Sequence, residues 1–408
     1  MMATAERLAK LPPYPFARWE ELVIRARQRG LDVIRLDVGD PDMPPPDSVI
    51  QALCRSASRP DHHGYPGYRG IPALRQAIAD YYARRFQVSL DADTQVLPLI
   101  GSKEGLINLS LAYLDPGDLA LVPDPGYAPY ARGAILAGAE FRTFPLLPER
   151  GFLPDLEAIP AGVADRANVL WLNYPNNPTG ATADLGFFTH AVDFARRHNL
   201  LLCHDAPYVD VTYGSPAGGR GGGAPSVLQV PGASEVAIEF NSLSKLANMA
   251  GWRVGMAVGN AQAVAALGQV KSNVDSGLFL PLQEAAIEAL STDPAWIAER
   301  NQIYLERLEH LVDGLQGIGM AAPLPEATLY LWVPIPGTAG DPNRSPWTSE
   351  SFARMLLDTI GVAVAPGSFF GPAGEGFVRV SATTPTERIQ QAVRRLVTLG
   401  SSWAAAGT

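Results

Sequence analysis

Residues 236–259, VAIEFNSLSKLANMAGWRVGMAVG, contain two short apolar runs separated by a polar cluster. The first run is almost continuously apolar, which is typical of a strand buried on both faces of a parallel sheet. Comparable runs precede it, with helical patterns between them: QVLPLIG, LALVPD, NVLWLNYP and LLLCHDA. Buried strands that alternate with helices predict an α/β fold, in which helices cover a mostly parallel sheet.

The length of the chain, 408 residues, predicts more than one domain. Residues 48–285 carry the alternation and are predicted to form a large domain with a sheet of the seven-stranded type. Residues 286–408 begin with a long amphipathic helical pattern and are predicted to form a smaller α/β domain. Residues 1–47 are a helix-bearing arm that ends in prolines, and we expect it to join the smaller domain. The glycine-rich loop SPAGGRGGGAPS at 215–226 is predicted to be flexible.

The composition excludes several classes of protein. Hydrophobic residues make up 47% of the chain and charged residues 18%, which favours a large core over disorder. The net charge is −9 and no basic block is present, so no nucleic-acid partner is expected. Apolar runs are short, and the N-terminus lacks an apolar signal region, so neither a membrane partner nor export is expected. The two cysteines, Cys54 and Cys203, have no zinc or disulfide spacing, which favours the cytoplasm and no metal site.

Lys245 lies among small and hydroxyl residues, and the next cation, Arg253, follows eight positions later. A lysine that attacks a carbonyl must be neutral, and desolvation or a nearby cation activates it. Ser242, Ser244 and Arg253 could together hold a phosphate, Arg253 through two guanidinium nitrogens. The pattern therefore favours a lysine that forms an imine with a phosphate-bearing cofactor over a surface lysine.

Asp205 falls where the apolar run LLLCHDA ends. Ligands of open α/β sheets bind at the carboxyl ends of the strands, so an acid there can hold a positive ring nitrogen or a metal. A helix N-cap or a turn former is the open alternative. Cys203, His204 and Asp205 do not form a nucleophile set, because successive strand side chains point to opposite faces.

Two turns that follow strands supply further candidates. In NYPNNPTG, Asn177 could aim its amide at a ligand oxygen, although the motif also suits a plain tight turn. In IGSKEG, the amides of Ser102 and Lys103 would open a helix and offer an anion site, with an ordinary strand–helix turn as the alternative. The motif GxxxxGK[ST] is absent from the sequence, which excludes a P-loop NTPase.

Together these residues describe one cofactor site. They supply a lysine for an imine, an acid for a pyridinium nitrogen, groups for a phosphate, and an amide with a tyrosine for a phenolic oxygen. Pyridoxal 5'-phosphate requires this set. The order along the chain agrees, because Asn177, Asp205 and Tyr208 precede Lys245 and Arg253 follows it.

The chain resembles the fold-type I, class I/II aminotransferases over essentially its whole length. The motifs that carry the resemblance are YPNNPTG, SLSKLANMAGWRVG and PGSFFGPAGEGFVRVS. A narrower likeness to the LL-diaminopimelate aminotransferase-like branch rests on LPPYPFARWEEL, LDVGDPDMPPP, GYRGIPALR and VKSNVDSGLF. The resemblance implies a pyridoxal-phosphate-dependent transfer of an amino group between an L-amino acid and a 2-oxo acid such as 2-oxoglutarate.

The resemblance also implies a role for each matching cofactor residue. Lys245 would carry the cofactor and shuttle protons, Asp205 would keep the ring nitrogen protonated, and Tyr127 would stack on the ring. Asn177 and Tyr208 would bind the phenolic oxygen. The phosphate would be held by Ser102, Lys103, Ser242, Ser244 and Arg253, with Tyr65 reaching it from the other subunit of a homodimer with shared sites.

Substrate residues follow from the same resemblance. Arg379 would bind the α-carboxylate, assisted by the backbone of Gly39 and by Asn177, and Tyr14 and Asn273 would lie near the substrate. An arginine on a strand is also often only a solvated end, so Arg379 has a plain structural alternative. Dicarboxylate-specific relatives carry a side-chain arginine near the position of Phe279, so strict aspartate specificity is not expected.

Two alternative functions are also consistent with this fold. A carbon–sulfur β-lyase would use every cofactor residue and differ in releasing ammonia and pyruvate without an oxo-acid acceptor. A non-catalytic ligand-sensing module on the same fold would carry an added DNA-binding domain, for which we expect the short arm to leave no room. The complete set of Lys245, Asp205 and Arg379 favours catalysis.

Overall fold

The computed structural model describes residues 4–214, 223–337 and 347–406. The helices in these ranges are α1 (Glu6–Lys10), α2 (Pro15–Gln28), α3 (Asp47–Ala57), α4 (Pro72–Phe86), α5 (Ser102–Tyr113), α6 (Pro129–Ala137), α7 (Ala161–Ala164), α8 (Leu185–Arg197), α9 (Leu243–Leu246), α10 (Ala261–Val274), α11 (Leu280–Leu290), α12 (Pro294–Gln316), α13 (Ser349–Ile360) and α14 (Thr386–Ala406). The strands are β1 (Ile34–Arg35), β2 (Val96–Leu99), β3 (Leu119–Asp124), β4 (Glu140–Pro145), β5 (Ala167–Asn173), β6 (Leu201–Asp205), β7 (Ala237–Ser242), β8 (Gly255–Gly259), β9 (Tyr330–Pro334), β10 (Val362–Ala363), β11 (Ala365–Pro366) and β12 (Phe377–Ser381).

The predicted α/β class is confirmed by a seven-stranded central sheet in the order β2-β8-β7-β6-β5-β3-β4. Strand β8 is antiparallel to its neighbours β7 and β2, and the pairs from β7 to β4 are parallel. Strands β5, β6 and β7 are buried along almost their whole length, because helices cover both faces of the sheet. Their apolar runs therefore predicted them from the sequence.

Strand β4 was missing from the predicted strands. It lies at the edge of the sheet, where it pairs only with β3, and only Phe144 among its six residues is buried. An edge strand that faces water does not need an apolar sequence, so its pattern carries little signal.

The smaller unit has an antiparallel sheet in the order β11-β12-β9. The N-terminal arm contacts this unit: β1 pairs in parallel with β10, where Ile34 lies opposite Val362. Trp19 and Val23 of α2 share a buried apolar cluster with Leu308 of α12. The exact domain boundaries, at residues 47 and 285, stay a prediction.

Residues 215–222, which make up most of the predicted flexible loop at 215–226, lie outside the described residues. None of the helices within the described ranges is long and apolar enough to cross a membrane. The parallel strands of the central sheet end at one edge, where β5 ends at Asn173, β6 at Asp205 and β7 at Ser242. This edge faces the arm and the smaller sheet.

Candidate active site

A cavity at the carboxyl edge of the central sheet gathers most of the predicted site residues. Side chains or backbone from the sheet, the arm and the smaller sheet line it. The predicted residues that line the cavity are Tyr14, Gly39, Ser102, Lys103, Tyr127, Asn177, Asp205, Tyr208, Ser242, Ser244, Lys245, Arg253 and Arg379. The fold thus brings together residues that are up to 365 positions apart (379 − 14).

Lys245 lies in α9, immediately after β7. Its Nζ donates a hydrogen bond to the backbone oxygen of Gly39 at 2.5 Å. Burial lowers the pKa of Lys245 to about 8, with Asp40 opposing that change and Arg379 adding to it. A substantial neutral fraction near pH 8 is what a nucleophilic amine requires.

Asp205 ends β6 and is 3% exposed. Tyr130 donates its hydroxyl proton to Oδ2 of Asp205 at 2.8 Å, whereas Oδ1 has no hydrogen-bond partner among the described residues. Burial raises the pKa of Asp205 to about 6, and the hydrogen bond from Tyr130 acts in the opposite direction. A buried carboxylate with one unpartnered oxygen fits a protonated ring nitrogen, which would supply the missing hydrogen bond.

The amide of Asn177 is oriented by Arg379. Oδ1 of Asn177 accepts a hydrogen bond from Nη1 of Arg379 at 2.8 Å. This hydrogen bond leaves the Nδ2 group of Asn177 as the end of the amide that can donate to a ligand, and the predicted contact with a ligand oxygen stays a prediction. Nearby, the hydroxyls of Tyr208 and Tyr330 lie 2.7 Å apart.

Arg379 is buried and held from two sides. Its Nη2 donates to the backbone oxygen of Asp37 at 2.7 Å, and its Nε has no partner among the described residues. Its guanidinium carbon lies 4.1 Å from the ring centre of Tyr330. A buried guanidinium with unused donor capacity is suited to a carboxylate, so the solvated-end alternative is wrong for Arg379.

The predicted phosphate site is formed by the start of α5, by the junction of β7 with α9, and by Arg253. Helix α5 begins at Ser102, directly after Gly101, whose φ of 74° lies in the left-handed region. A Cβ at Gly101 would overlap the guanidinium of Arg253, so glycine allows the arginine to approach the start of the helix. The Oγ of Ser242 donates to the Oγ of Ser244 at 2.9 Å. Helix amides, hydroxyls and a guanidinium in one place fit a phosphate dianion.

Aromatic and cationic groups complete the cavity. Tyr127 makes an edge-on contact with Tyr130, with ring centres 5.9 Å apart, and burial raises the pKa of Tyr127. The Nζ of Lys103 lies 4.4 Å from the ring centre of Tyr14. The side chain of Lys103 is exposed, so its ammonium is available to a charged ligand.

Tyr65 and Asn273 are not brought to the cavity of their own chain. Tyr65 is 91% exposed, in the loop before α4. Asn273 is exposed near the end of α10, where its amide donates to the backbone oxygen of Gln269 at 2.9 Å. Both roles stay predictions: Tyr65 was assigned to the partner's site, and Asn273 is absent from the residues that line the cavity.

Sequence reasoning missed several residues that support the site. Arg35 binds both carboxylate oxygens of the fully buried Asp37, at 2.7 and 2.9 Å, and so fixes the backbone that holds Arg379. Arg300 of α12 donates to the backbone oxygen of Lys245 at 2.5 Å. The opposite charges of Arg35, which ends β1, and Asp37, two positions later, were a usable signal of an ion pair. Tyr330 lies inside an apolar run and gave none.

Comparisons with known proteins agree with this geometry. The family described as aminotransferase class I and II has a sequence model that matches residues 31–396. The LL-diaminopimelate aminotransferase of Moorella thermoacetica is 49% identical over 395 residues, covering 97% of this chain and 98% of the relative. That of Gloeobacter violaceus is 46% identical over 400 residues, covering 98% and 99%.

Solved structures match over almost the entire chain. Substrate-bound BacF from Bacillus subtilis superposes with a TM-score of 0.91 at 37% identity, covering 98% of both chains. Aspartate aminotransferase from Thermus thermophilus with maleate has a TM-score of 0.87 at 29% identity, covering 98% of this chain and 100% of that one.

Proposed function

The chain belongs to the class I and II aminotransferases, and we propose that its amino donor is a diamino dicarboxylic acid of the LL-diaminopimelate type. It is a pyridoxal-phosphate-dependent aminotransferase, as the sequence predicted. The donor is supported by relatives at 45–49% identity that are named LL-diaminopimelate aminotransferase. We propose 2-oxoglutarate as the acceptor.

One observation carries the chemical assignment: the amine of Lys245, the carboxylate of Asp205 and the guanidinium of Arg379 line a single cavity. Bound pyridoxal phosphate supplies an aldehyde that takes up the amino group and a ring that withdraws electrons. We assign to Lys245 the covalent link and the movement of the substrate α-proton. Asp205 holds the proton of the ring nitrogen through its unpartnered Oδ1. Arg379 holds the substrate α-carboxylate with its unused donors, which fixes the α-carbon near Lys245.

The remaining predicted residues bind and orient the cofactor. Nδ2 of Asn177 and the hydroxyl of Tyr208 donate to the phenolic oxygen, and Tyr127 covers the ring. The phosphate is held by the amides of Ser102 and Lys103, by Ser242 and Ser244, and by Arg253. These assignments are supported by the fact that all of these residues line the same cavity.

The distal end of the donor is assigned to Lys103 and Tyr14. A diamino dicarboxylate has a second carboxylate, and the exposed ammonium of Lys103 over the Tyr14 ring offers it a cation within the cavity. Monocarboxylic amino acids cannot use this cation. The pair therefore favours a donor with a distal acid.

We further propose that two copies form a homodimer with shared sites. Several large apolar side chains near residues 65 and 275 are exposed, which is typical of an interface. They are Tyr65, Tyr68, Val274 and Phe279, which are 91, 54, 64 and 41% exposed. Gly277 packs so closely on the backbone of Gly67 that a Cβ there would overlap it, so the two segments form one surface. We also propose a cytoplasmic location, because Cys54 and Cys203 are both free.

The experiment that tests the donor is a half-reaction of the purified, cofactor-loaded protein with a panel of amino acids. Loss of the visible cofactor absorbance should be fastest with LL-diaminopimelate, and 2-oxoglutarate should restore it while glutamate forms. A faster reaction with a monocarboxylic amino acid would contradict the proposed donor. Release of ammonia and pyruvate without an oxo acid would indicate the β-lyase instead.

A further inference from the structure

The hydroxyls of Tyr208 and Tyr330 form an isolated pair beside the cofactor cavity. Their oxygens are 2.7 Å apart, and the side chains are 4% and 2% exposed. Among the described residues, neither hydroxyl has another hydrogen-bond partner. Tyr208 follows β6, whereas Tyr330 begins β9 of the smaller sheet, so the pair joins the two units of the chain.

The direction of this hydrogen bond is fixed once the cofactor binds. An anionic phenolic oxygen can only accept hydrogen bonds, so Tyr208 must give its single proton to that oxygen. Tyr208 then has no proton left for Tyr330 and can only accept from it. Tyr330 has no competing acceptor among the described residues, so its proton goes to Tyr208.

We propose that Tyr330 is a positioning residue that donates to Tyr208 and thereby makes Tyr208 a stronger and better oriented donor to the phenolic oxygen of the cofactor. Chained hydrogen bonds polarise one another, which strengthens the outer bond. This inference rests on the cofactor-binding role assigned to Tyr208 in the proposed function.

Two contacts hold Tyr330 in the required place. Its ring lies against the guanidinium of Arg379, 4.1 Å from the guanidinium carbon. Its hydroxyl lies so close to Gly39 that a Cβ at that position would overlap it. Burial raises the pKa of Tyr208, and the neighbouring Tyr330 raises it further, so Tyr208 keeps the proton that it must donate.

Tyr330 therefore contacts one residue assigned to the substrate and one residue assigned to the cofactor. Its ring supports the arginine assigned to the substrate carboxylate, and its hydroxyl supports the donor assigned to the cofactor. Tyr330→Phe separates the two, because phenylalanine keeps the ring beneath Arg379 and removes only the hydroxyl.

The pH dependence of the visible absorbance of the loaded enzyme tests the proposal. A hydrogen bond donated to the anionic phenolic oxygen reduces the attraction of that oxygen for the proton on the adjacent Lys245 nitrogen. The midpoint of the absorbance change therefore lies at a lower pH when this hydrogen bond is present. Tyr330→Phe should move the midpoint of the absorbance change to higher pH by about half a pH unit to one pH unit. Tyr208→Phe should move it further in the same direction, and the double variant should match Tyr208→Phe, because Tyr330 acts through Tyr208.

A matched control and a second probe separate this effect from a structural one. Tyr213→Phe removes another tyrosine hydroxyl in the same cluster, one that donates to the backbone oxygen of Thr328 at 2.6 Å, and should leave the titration unchanged. Apoprotein of Tyr330→Phe should bind pyridoxamine 5'-phosphate roughly 2- to 10-fold more weakly than the wild type. Its affinity for the 3-deoxy analogue, which lacks the phenolic oxygen, should be unchanged.

Three outcomes would overturn the proposal. An unshifted titration in Tyr330→Phe means that its hydroxyl does not act on the cofactor. A shift that persists in the Tyr208→Phe background means that Tyr330 acts by another route. Equal weakening for both cofactor analogues means that Tyr330 only maintains the fold. A normal wild-type titration with an unexpected donor preference would contradict the proposed donor and leave this test intact.

Discussion

Nη1 of Arg379 donates a hydrogen bond to Oδ1 of Asn177 at 2.8 Å, across 202 positions of the chain. The contact joins strand β12 of the smaller sheet to the turn after β5 of the central sheet. It leaves Nδ2 as the end of the Asn177 amide that can donate to the cofactor, the role assigned to it, and at the same time restrains the arginine assigned to the substrate. With the roles assigned to Asn177 and Arg379, this hydrogen bond would couple the binding of cofactor to the binding of substrate.

Arg379→Lys should lower kcat/KM strongly for every amino acid that the enzyme accepts. Lysine cannot reproduce the planar two-point contact with a carboxylate. The expected loss is about 2–5 kcal/mol, or roughly 30- to several-thousand-fold, with nearly normal cofactor absorbance. Steady-state kinetics over a donor panel measures it, with Arg388→Lys, which removes an arginine that pairs with Asp32 near the surface, as the control. A loss confined to acidic or long donors would make Arg379 a side-chain selector.

Lys245→Ala should retain the cofactor through its phosphate but have no measurable turnover, because the covalent link and the proton transfer both need the amine. Borohydride reduction of the wild type followed by peptide mapping should place the label on Lys245. Lys271 is the informative comparison, because it is also buried yet its amine is bound by Glu104 and Asp275 at 3.0 and 2.6 Å. A label on Lys271 or Lys103 would refute the assignment.

Asp205→Asn should stabilise the cofactor-free protein at neutral pH while it impairs the loaded enzyme. Burial raises the pKa of Asp205 from 3.8 to about 6, so between these values the folded state binds more protons than the unfolded state, and stability falls as pH rises. Asparagine removes that loss, which amounts to about 3 kcal/mol above pH 6. Thermal unfolding of the apoprotein should give a higher Tm for the variant at pH 7.5 and a similar Tm at pH 4. Equal Tm values at pH 7.5 would argue against an unsatisfied charge in the site.

Tyr65→Phe should weaken cofactor binding without changing the fold of the chain, because the hydroxyl is assigned to the phosphate in the partner's site. The cofactor dissociation constant of the variant, compared with that of Tyr68→Phe, measures this. Sedimentation of the wild type should show a dimer at assay concentration. An active monomer, or an unchanged affinity in Tyr65→Phe, would remove the shared site.

The sequence predicted the central sheet because its inner strands are buried on both faces, which requires continuous apolar runs such as LLLCHDA. It predicted the site because parallel strands end at one edge, so polar residues that follow different strands must meet there. Asp205 was singled out in this way, whereas Lys245 was singled out by the small and hydroxyl residues around it. The resemblance then supplied Arg379 and Tyr14, which no pattern within the chain connects to that edge.

The residues that the sequence did not reveal act through contacts between distant segments. Tyr130 lies in α6, and its local sequence does not indicate that its hydroxyl donates to Asp205 in the folded chain. Arg300 lies in the amphipathic pattern of α12, yet it is buried and binds the backbone of Lys245 and of Asp210. Such roles depend on where two segments cross, and a periodicity within one segment contains no information on that point.

Lys103→Ala should reduce the preference for donors with a distal carboxylate. The ammonium of Lys103 lies over the ring of Tyr14 inside the cavity, and it is the cation that we assign to the second acid of the donor. Its backbone amide, assigned to the cofactor phosphate, is unchanged by the substitution, so cofactor affinity should stay close to that of the wild type. Because an ion pair that is partly exposed is worth little, the expected rise in KM for LL-diaminopimelate is roughly 2- to 5-fold, with kcat nearly constant. The KM for a monocarboxylic donor should not change, and raised salt should reduce the difference between wild type and variant. An equal effect on all donors would place Lys103 at the cofactor instead and would leave the distal acid without an assigned cation.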